Sequence, residues 1–255
     1  MELNKIYLGD AYELIKQVPD KSVDLIITDP PYAIEGIHSS GILKSRKRGH
    51  FADEIKNNEL DKGINLSILN EYIRIMKKIN IYIWCNKSQI YDYITYFVKE
   101  RNCSWEMLIW GKADPMAFCG THYLVDKEYC LYFWETGAEI DIPFERGKTV
   151  FFSKKNITDK KDYGHPTIKP LEIIKVLIEN SSKRGGIIFD SFVGSGTTCV
   201  AAKELGRQYI GFEINEKYYQ IATDRLNGIK ANGQTDLFAT DFEQLDLFNE
   251  NKKKG

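Results

Sequence analysis

The apolar residues of this chain fall into short blocks separated by polar turns. Val23 to Thr28, VDLIIT, is the first clear block, and Asp29-Pro30-Pro31 ends it. A run this short, stopped by prolines, predicts a buried parallel strand with a functional loop at its carboxyl end. Residues 10–18 before it have helical spacing. After it, Ala33 to Lys62 is polar, with glycines and the basic cluster Lys44-Ser45-Arg46-Lys47-Arg48. Such length without periodicity predicts a long mobile loop. Periodicity then resumes: a helix over 66–77, a strand from Ile79 to Trp84, a helix from Lys87 to Glu100, and strands near Trp105 to Trp110 and Glu128 to Trp134. Much of 112–165 is irregular and rich in aromatic and charged residues. Pro170 to Asn180 reads as a helix with proline in its first turn. The clearest unit follows: strand Gly186 to Asp190, a glycine turn, helix Thr197 to Leu205, strand Tyr209 to Glu213, and a last helix from Asn215 to Ile229. Strands alternating with helices predict an α/β domain whose mainly parallel sheet has helices on both faces.

Length and composition narrow this picture. The 255 residues suit one sizeable domain, with room for a modest insertion, and 43% hydrophobic residues are enough for a real core. No apolar run reaches the ~20 residues of a membrane span. The start, MELNKIYLGD, lacks the basic-then-apolar layout of a signal peptide, so a cytoplasmic location is expected. The five cysteines (Cys85, Cys103, Cys119, Cys130, Cys199) are scattered and odd in number, which argues against a disulfide framework or a structural zinc site. The net charge of −1 hides an uneven distribution. Between Gln234 and Glu250 stand five acidic residues and no Lys or Arg, so the remaining chain carries +4. A mildly basic body with an acidic tail is compatible with DNA binding.

Two segments carry candidate chemistry. In the C-terminal unit, Gly194 and Gly196 fall between a strand and a helix, where glycines let the backbone approach a ligand and leave amides free. Glu213 ends the next strand, where a carboxylate can accept from ribose hydroxyls. This is a nucleotide-site arrangement, and it does not separate NAD from S-adenosylmethionine. The second segment is Asp29-Pro30-Pro31-Tyr32. Its prolines stiffen the turn and remove two donors, leaving carbonyls and Asp29 as acceptors beside the Tyr32 ring. Two acceptors and a stacking face suit a planar ring bearing an exocyclic NH2. The plain alternative is a proline turn closing a strand.

Together these segments resemble the amino-methyltransferase family that modifies adenine N6 or cytosine N4 in DNA. In that family a DPPY or SPPY segment pairs with D-P-F-x-G-S-G-T-T. Here the latter reads Asp190-Ser191-Phe192-Val193-Gly194-Ser195-Gly196-Thr197-Thr198, with Ser191 in place of the usual proline. His165-Pro166-Thr167-Ile168-Lys169-Pro170 resembles the family's H-P-T-Q-K-P, with Ile168 for glutamine. Catalytic segment first and cofactor segment last is the order of the β group. The motifs cover residues 1–35 and 163–230; the middle matches by layout alone.

The resemblance implies a Rossmann-like S-adenosylmethionine-dependent fold with permuted motif order. It implies that Asp29 and the carbonyl of Pro30 accept the amine hydrogens, that Pro31 shapes the turn, and that Tyr32 stacks on a base flipped out of the duplex. The lone pair would then attack the sulfonium methyl in line. It assigns Asp10 and Ala11 to the neighbourhood of the cofactor adenine, Asp190 to the methionine amino group, Glu213 to the ribose, and Thr197 and Thr198 to the methionine carboxylate. Asp29, Lys169, Phe192, Gly194, Ser195 and Gly196 complete the expected cofactor set. DPPY is more typical of adenine enzymes and SPPY of cytosine-N4 enzymes, so adenine is expected. A cytosine-N4 enzyme and a non-catalytic DNA-binding regulator remain the alternatives. DPPY has no role in hydride transfer, which counts against a dehydrogenase.

The expected division is a catalytic half (1–111), a target-recognition region (112–162), a cofactor half (163–230) and an acidic flexible tail (231–255). Lys44, Arg46, Lys47 and Arg48 are candidates for phosphate contacts on double-stranded DNA, with a solvated loop the plain alternative. In the tail, Gln244, Leu245, Leu247 and Phe248 belong to a pentapeptide resembling the Q-L-x-L-F peptide by which bacterial proteins dock on the replication sliding clamp. The alternative is that these apolar residues pack on the body. The family resemblance also allows a homodimer.

Overall fold

Leu25–Thr28 (β2) and Asn80–Cys85 (β3) are buried at every position, as strands covered on both faces must be. The computed structural model that shows this describes residues 1–32, 63–114, 123–154, 162–163 and 168–230. The basic cluster Lys44, Arg46, Lys47 and Arg48, the residues His165 to Thr167 and the tail residues Gln244, Leu245, Leu247 and Phe248 lie outside the described residues.

The remaining elements are β1 (Lys5–Leu8), α1 (Ala11–Leu14), α2 (Ile68–Ile75), α3 (Ile90–Ile94), β4 (Ser104–Lys112), β5 (Lys127–Trp134), β6 (Val150–Ser153), α4 (Leu171–Ser181), β7 (Ile187–Asp190), α5 (Thr197–Glu204), β8 (Gln208–Glu213) and α6 (Glu216–Leu226). The eight strands form one sheet in the order β1-β8-β7-β2-β3-β5-β4-β6. Every pairing is parallel except the two made by β5. One face is packed by Ala11, Leu69, Tyr72 and Tyr93 of the first three helices, with Phe97 just beyond the third. The other is packed by Ile174, Leu177, Ala201 and Ala222 of the last three. The predicted α/β fold, with a mainly parallel sheet and helices on both faces, is the observed one.

The topology decides where chemistry can sit. From β7 the chain proceeds through α5 to β8, moving toward β1. From β2 it proceeds through α2 to β3, moving the opposite way. Neighbouring strands whose connections diverge open a crevice at their carboxyl ends, the standard ligand position of open α/β sheets. Those strands are β2 and β7, paired at Leu25 with Ile188 and Ile26 with Phe189. β2 leads directly into Asp29, and β7 ends in Asp190.

One expectation is corrected. The helix predicted from Lys87 to Glu100 begins later and changes pitch, running as α3 and then a π-turn, Thr95–Lys99. Asn86 delays its start, because its side-chain oxygen accepts from the amides of Ser88 (3.0 Å) and Gln89 (3.3 Å). At the other end, Phe97 stacks on Phe133 at 4.5 Å and the Arg101 guanidinium lies 3.5 Å over the Tyr96 ring. Tertiary packing there outweighs regular helix geometry. The boundary expected at 111/112 falls at the last residue of β4, and within 112–162 the strands Lys127–Trp134 and Val150–Ser153 join the common sheet.

Candidate active site

β2 carries Asp29 to the crevice and the following prolines hold the turn. Tyr32 curls back, so that its hydroxyl donates to Asp29 Oδ1 at 2.9 Å. Lys169, just before α4, places its ammonium on Asp29 Oδ2. The same ammonium lies 3.1 Å from Glu128 Oε2 and 5.0 Å above the Trp84 ring. Glu128 Oε1 in turn meets Lys112 Nζ at 2.7 Å. Burial is the largest influence on Lys169 and disfavours its charge, yet the pull of Asp29 and then Glu128 outweighs it, and the pKa lies above the ordinary lysine value. Burial likewise works to raise Glu128, but Lys169 and Lys112 together hold it below the usual carboxylate value. The Tyr32 hydroxyl is pushed well up by burial and then by the Asp29 charge, so it is a neutral donor. Lys169, expected among the cofactor contacts, is thus placed with the catalytic segment. Next to it, Gln89 Nε2 donates to the Pro31 carbonyl at 3.4 Å.

β7 carries Asp190, only 3% exposed, to the same crevice. Its carboxyl accepts from the Phe192 amide at 3.0 Å and from the hydroxyls of Thr198 and Thr28. Burial outweighs these bonds and pushes its pKa up to about 7. The departure from the family pattern has a structural reason: the buried Ser191 hydroxyl bonds Thr28 Oγ1 at 3.1 Å and the Tyr72 hydroxyl, tying the ends of β7 and β2 to α2.

The glycine turn follows. Gly194 and Gly196 have φ of 53° and 83°, in the left-handed region that favours glycine. A Cβ on Gly196 would stand 3.1 Å from both Cα and Cβ of Ala222, so α6 seals the turn from behind. Glu213 is mostly buried, and that burial raises its pKa. Its Oε2 accepts the Gly194 amide at 2.7 Å and its Oε1 the Asn215 amide at 2.8 Å, so it braces the turn as well as ending β8. Asp10 is the exposed N-cap of α1, accepting from the Tyr12 amide at 2.9 Å. It sits beside Glu213, because the Gly9 amide donates to the Glu213 carbonyl at 2.9 Å. Ala11 is buried below, and Phe192 packs against the first core. The Thr197 hydroxyl accepts from Arg225 Nη1 at 2.7 Å, and the same nitrogen reaches the Ser195 carbonyl at 3.2 Å.

Asp29 with Tyr32 and Lys169, and Asp190 with the glycine turn, therefore stand at the carboxyl ends of the adjacent strands β2 and β7. Glu128, Lys112, Trp84, Tyr72 and Arg225 were not foreseen. Glu128 began a predicted strand and Arg225 lay in a predicted helix, but an acid or a guanidinium at such a place carries no local signal of its partner. Among the described residues, no cluster of His, Cys, Asp or Glu is fit to hold a metal ion, and no helix is long and apolar enough to cross a membrane. A buried carboxyl held near neutrality beside a left-handed glycine turn suits a cationic nucleoside ligand.

The family model described as DNA methylase, for N6 and N4 enzymes, matches residues 23–224, from β2 through α6. The chain belongs to the N6/N4 DNA methylase family. Among its relatives, the type II methyltransferase M.HinfI of Haemophilus influenzae is 30% identical over 258 residues, covering 90% of this chain and 70% of that one. The crystal structure of the M1.HpyAVI–SAM complex matches with a TM-score of 0.64 at 27% identity, covering 88% of this chain and 98% of the other. The PvuII DNA methyltransferase, described as cytosine-N4-specific, matches with a TM-score of 0.65 at 18% identity, covering 87% of this chain and 85% of that one. At that identity it shows the fold alone. As a member of the family this methylase uses S-adenosylmethionine, and the crevice residues fit it.

Proposed function

We propose that this methylase transfers a methyl group to the exocyclic N6 of adenine in double-stranded DNA. The observation that carries the reading is the meeting of Asp29 and Asp190 at the carboxyl ends of adjacent strands, one beside the amine-accepting turn and the other beside the glycine turn. The adenine amine is a poor nucleophile because its lone pair is delocalised into the ring. Asp29 and the Pro30 carbonyl accept its two hydrogens and favour a tetrahedral nitrogen, which frees the lone pair for in-line attack. The N–CH3 bond forms as the S–CH3 bond breaks, the neutral thioether leaves, and the surplus amine proton passes to Asp29 and on to solvent. Bound S-adenosylmethionine supplies an already activated methyl on a positively charged sulfur. Positioning and electrostatics then suffice, and the chain needs no nucleophile of its own. The buried thiols agree with this: Cys85 is pushed up to about 12 by burial, which leaves it protonated and unreactive.

Asp190 would hold the methionine amino group and Gly194 to Thr198 the rest of the methionine end. Glu213 and Asp10 would hold the nucleoside. A base inside the duplex cannot reach Asp29, so the target flips out and Tyr32 stacks on it. Adenine is favoured over cytosine because the segment is DPPY. Within the same reading Lys44, Arg46, Lys47 and Arg48 bind phosphates, residues 112–162 contribute to target recognition, and Gln244, Leu245, Leu247 and Phe248 dock on the bacterial sliding clamp. The test is incubation with S-adenosylmethionine and unmethylated genomic DNA, followed by nucleoside mass spectrometry. N6-methyladenine supports the reading, N4-methylcytosine keeps the mechanism and overturns the base, and neither overturns both.

A further inference from the structure

Asp29 has two oxygens, and their surroundings differ. Oδ1 accepts a hydrogen bond from a neutral phenol, Tyr32. Oδ2 is bound to the Lys169 ammonium. That ammonium does not rest on Asp29 alone. It also meets Glu128 Oε2 at 3.1 Å, while Glu128 Oε1 is held at 2.7 Å by Lys112. The result is an alternating chain, Lys112–Glu128–Lys169–Asp29, of two cations and two carboxylates that runs from β4 through β5 to β2. The Lys169 side chain is only 11% exposed and lies over the Trp84 ring, so it has little freedom to leave.

We infer that Glu128 is a positioning residue that, by sharing Lys169, confines the ammonium to Asp29 Oδ2 and reserves Oδ1 for the incoming amine. This rests on the amino-methyltransferase reading. An ammonium with three donors and a single carboxylate partner can straddle both of that carboxylate's oxygens. A second carboxylate on its far side draws it away from Oδ1. The Tyr32 hydroxyl then serves as a stand-in for the substrate: it occupies Oδ1 until a base amine replaces it, one neutral N–H or O–H donor for another. Asp29 keeps the same number of hydrogen bonds through the exchange. Lys169 takes no proton in the reaction, since flanking carboxylates keep it charged. Its part is to fix which oxygen works.

Glu128→Gln tests this, since it keeps the shape and the oxygen facing Lys169 but removes the charge. Lys169→Met is the partner variant. The readout is single-turnover methyl transfer at saturating S-adenosylmethionine and DNA, with separate cofactor and DNA affinities and Tm. Glu128→Gln is expected to lower the transfer rate roughly tenfold, the scale of a small misplacement of a reacting group, with both affinities within about twofold of the parent. In the Lys169→Met background the same substitution should change the rate by less than about twofold, because Glu128 acts only through Lys169. An unchanged rate in Glu128→Gln, with or without a fall in Tm, would overturn the inference and leave a structural ion pair. A full rate loss from Glu128→Gln in the Lys169→Met background also overturns it. Should Lys169→Met not fold, the loss of rate at unchanged affinities in Glu128→Gln decides alone. A parent protein that binds cofactor and DNA but transfers no methyl fails the underlying reading instead.

Discussion

Asp190 couples cofactor binding to pH, and the effect is large enough to measure. Its carboxyl is 3% exposed and its pKa stands at about 7 against an ordinary 3.8. Burial raises the native pKa, so the cofactor-free fold binds a proton that the unfolded chain has released at pH 4 to 7. Stability is therefore greatest below the unfolded value and falls as pH rises toward the native one. At about 1.4 kcal/mol per pH unit, the gap from 3.8 to about 7 makes the charged form cost about 4 kcal/mol in the cofactor-free protein. Asp190→Asn keeps the oxygen that accepts the Phe192 amide and removes the titration. Relative to the parent, this variant should gain about 3 kcal/mol between pH 5 and pH 8, read by denaturant unfolding without cofactor. A cationic ligand draws the proton off, so the parent should bind S-adenosylmethionine roughly 30-fold more weakly at pH 5.5 than at pH 8. Calorimetry in buffers of different ionisation enthalpy should show about one proton released near pH 6. A parent Kd that is the same at both pH values, together with a constant stability difference between the two proteins, would refute the reasoning.

Three further outcomes are expected. Gly196→Ala should cost about 1–2 kcal/mol in unfolding experiments and weaken cofactor binding, because φ is 83° and the added methyl meets Ala222; a variant as stable as the parent would show that the turn is not confined. Replacing Arg46, Lys47 and Arg48 together with alanine should flatten the plot of log DNA affinity against log salt by about three; an unchanged slope would remove the cluster from the DNA. Leu247→Ala with Phe248→Ala should abolish capture of this protein by the bacterial sliding clamp, and undiminished capture would sink the docking proposal.

Much of the fold was readable because its signals are local. VDLIIT before two prolines, and IIFD before a glycine turn, could each form only a short buried strand, and those strands proved to be the adjacent pair β2 and β7. The helix after Lys87 was misjudged in its start and its pitch because Asn86 and the Phe97–Phe133 stack act through side-chain contacts that spacing does not encode. The site divides the same way. Asp29 and Asp190 stand in contiguous motifs and were legible. Glu128, Lys112 and Arg225 act across strands and helices far apart in the chain, so their meaning exists only after folding. Ser191 shows the same limit: in the sequence it is only a departure from a pattern, and in place it is a buried hydroxyl joining β2, β7 and α2.

The most direct test of the central claim is a side-by-side transfer assay with the parent and Asp29→Ala, using tritiated-methyl S-adenosylmethionine and DNA lacking prior methylation. The product nucleosides are identified by mass spectrometry and cofactor affinity is measured for both proteins. N6-methyladenine is expected from the parent and none from the variant, with cofactor binding retained. Undiminished N6-methyladenine from Asp29→Ala, or no methylated nucleoside from a parent that binds cofactor, would contradict that claim.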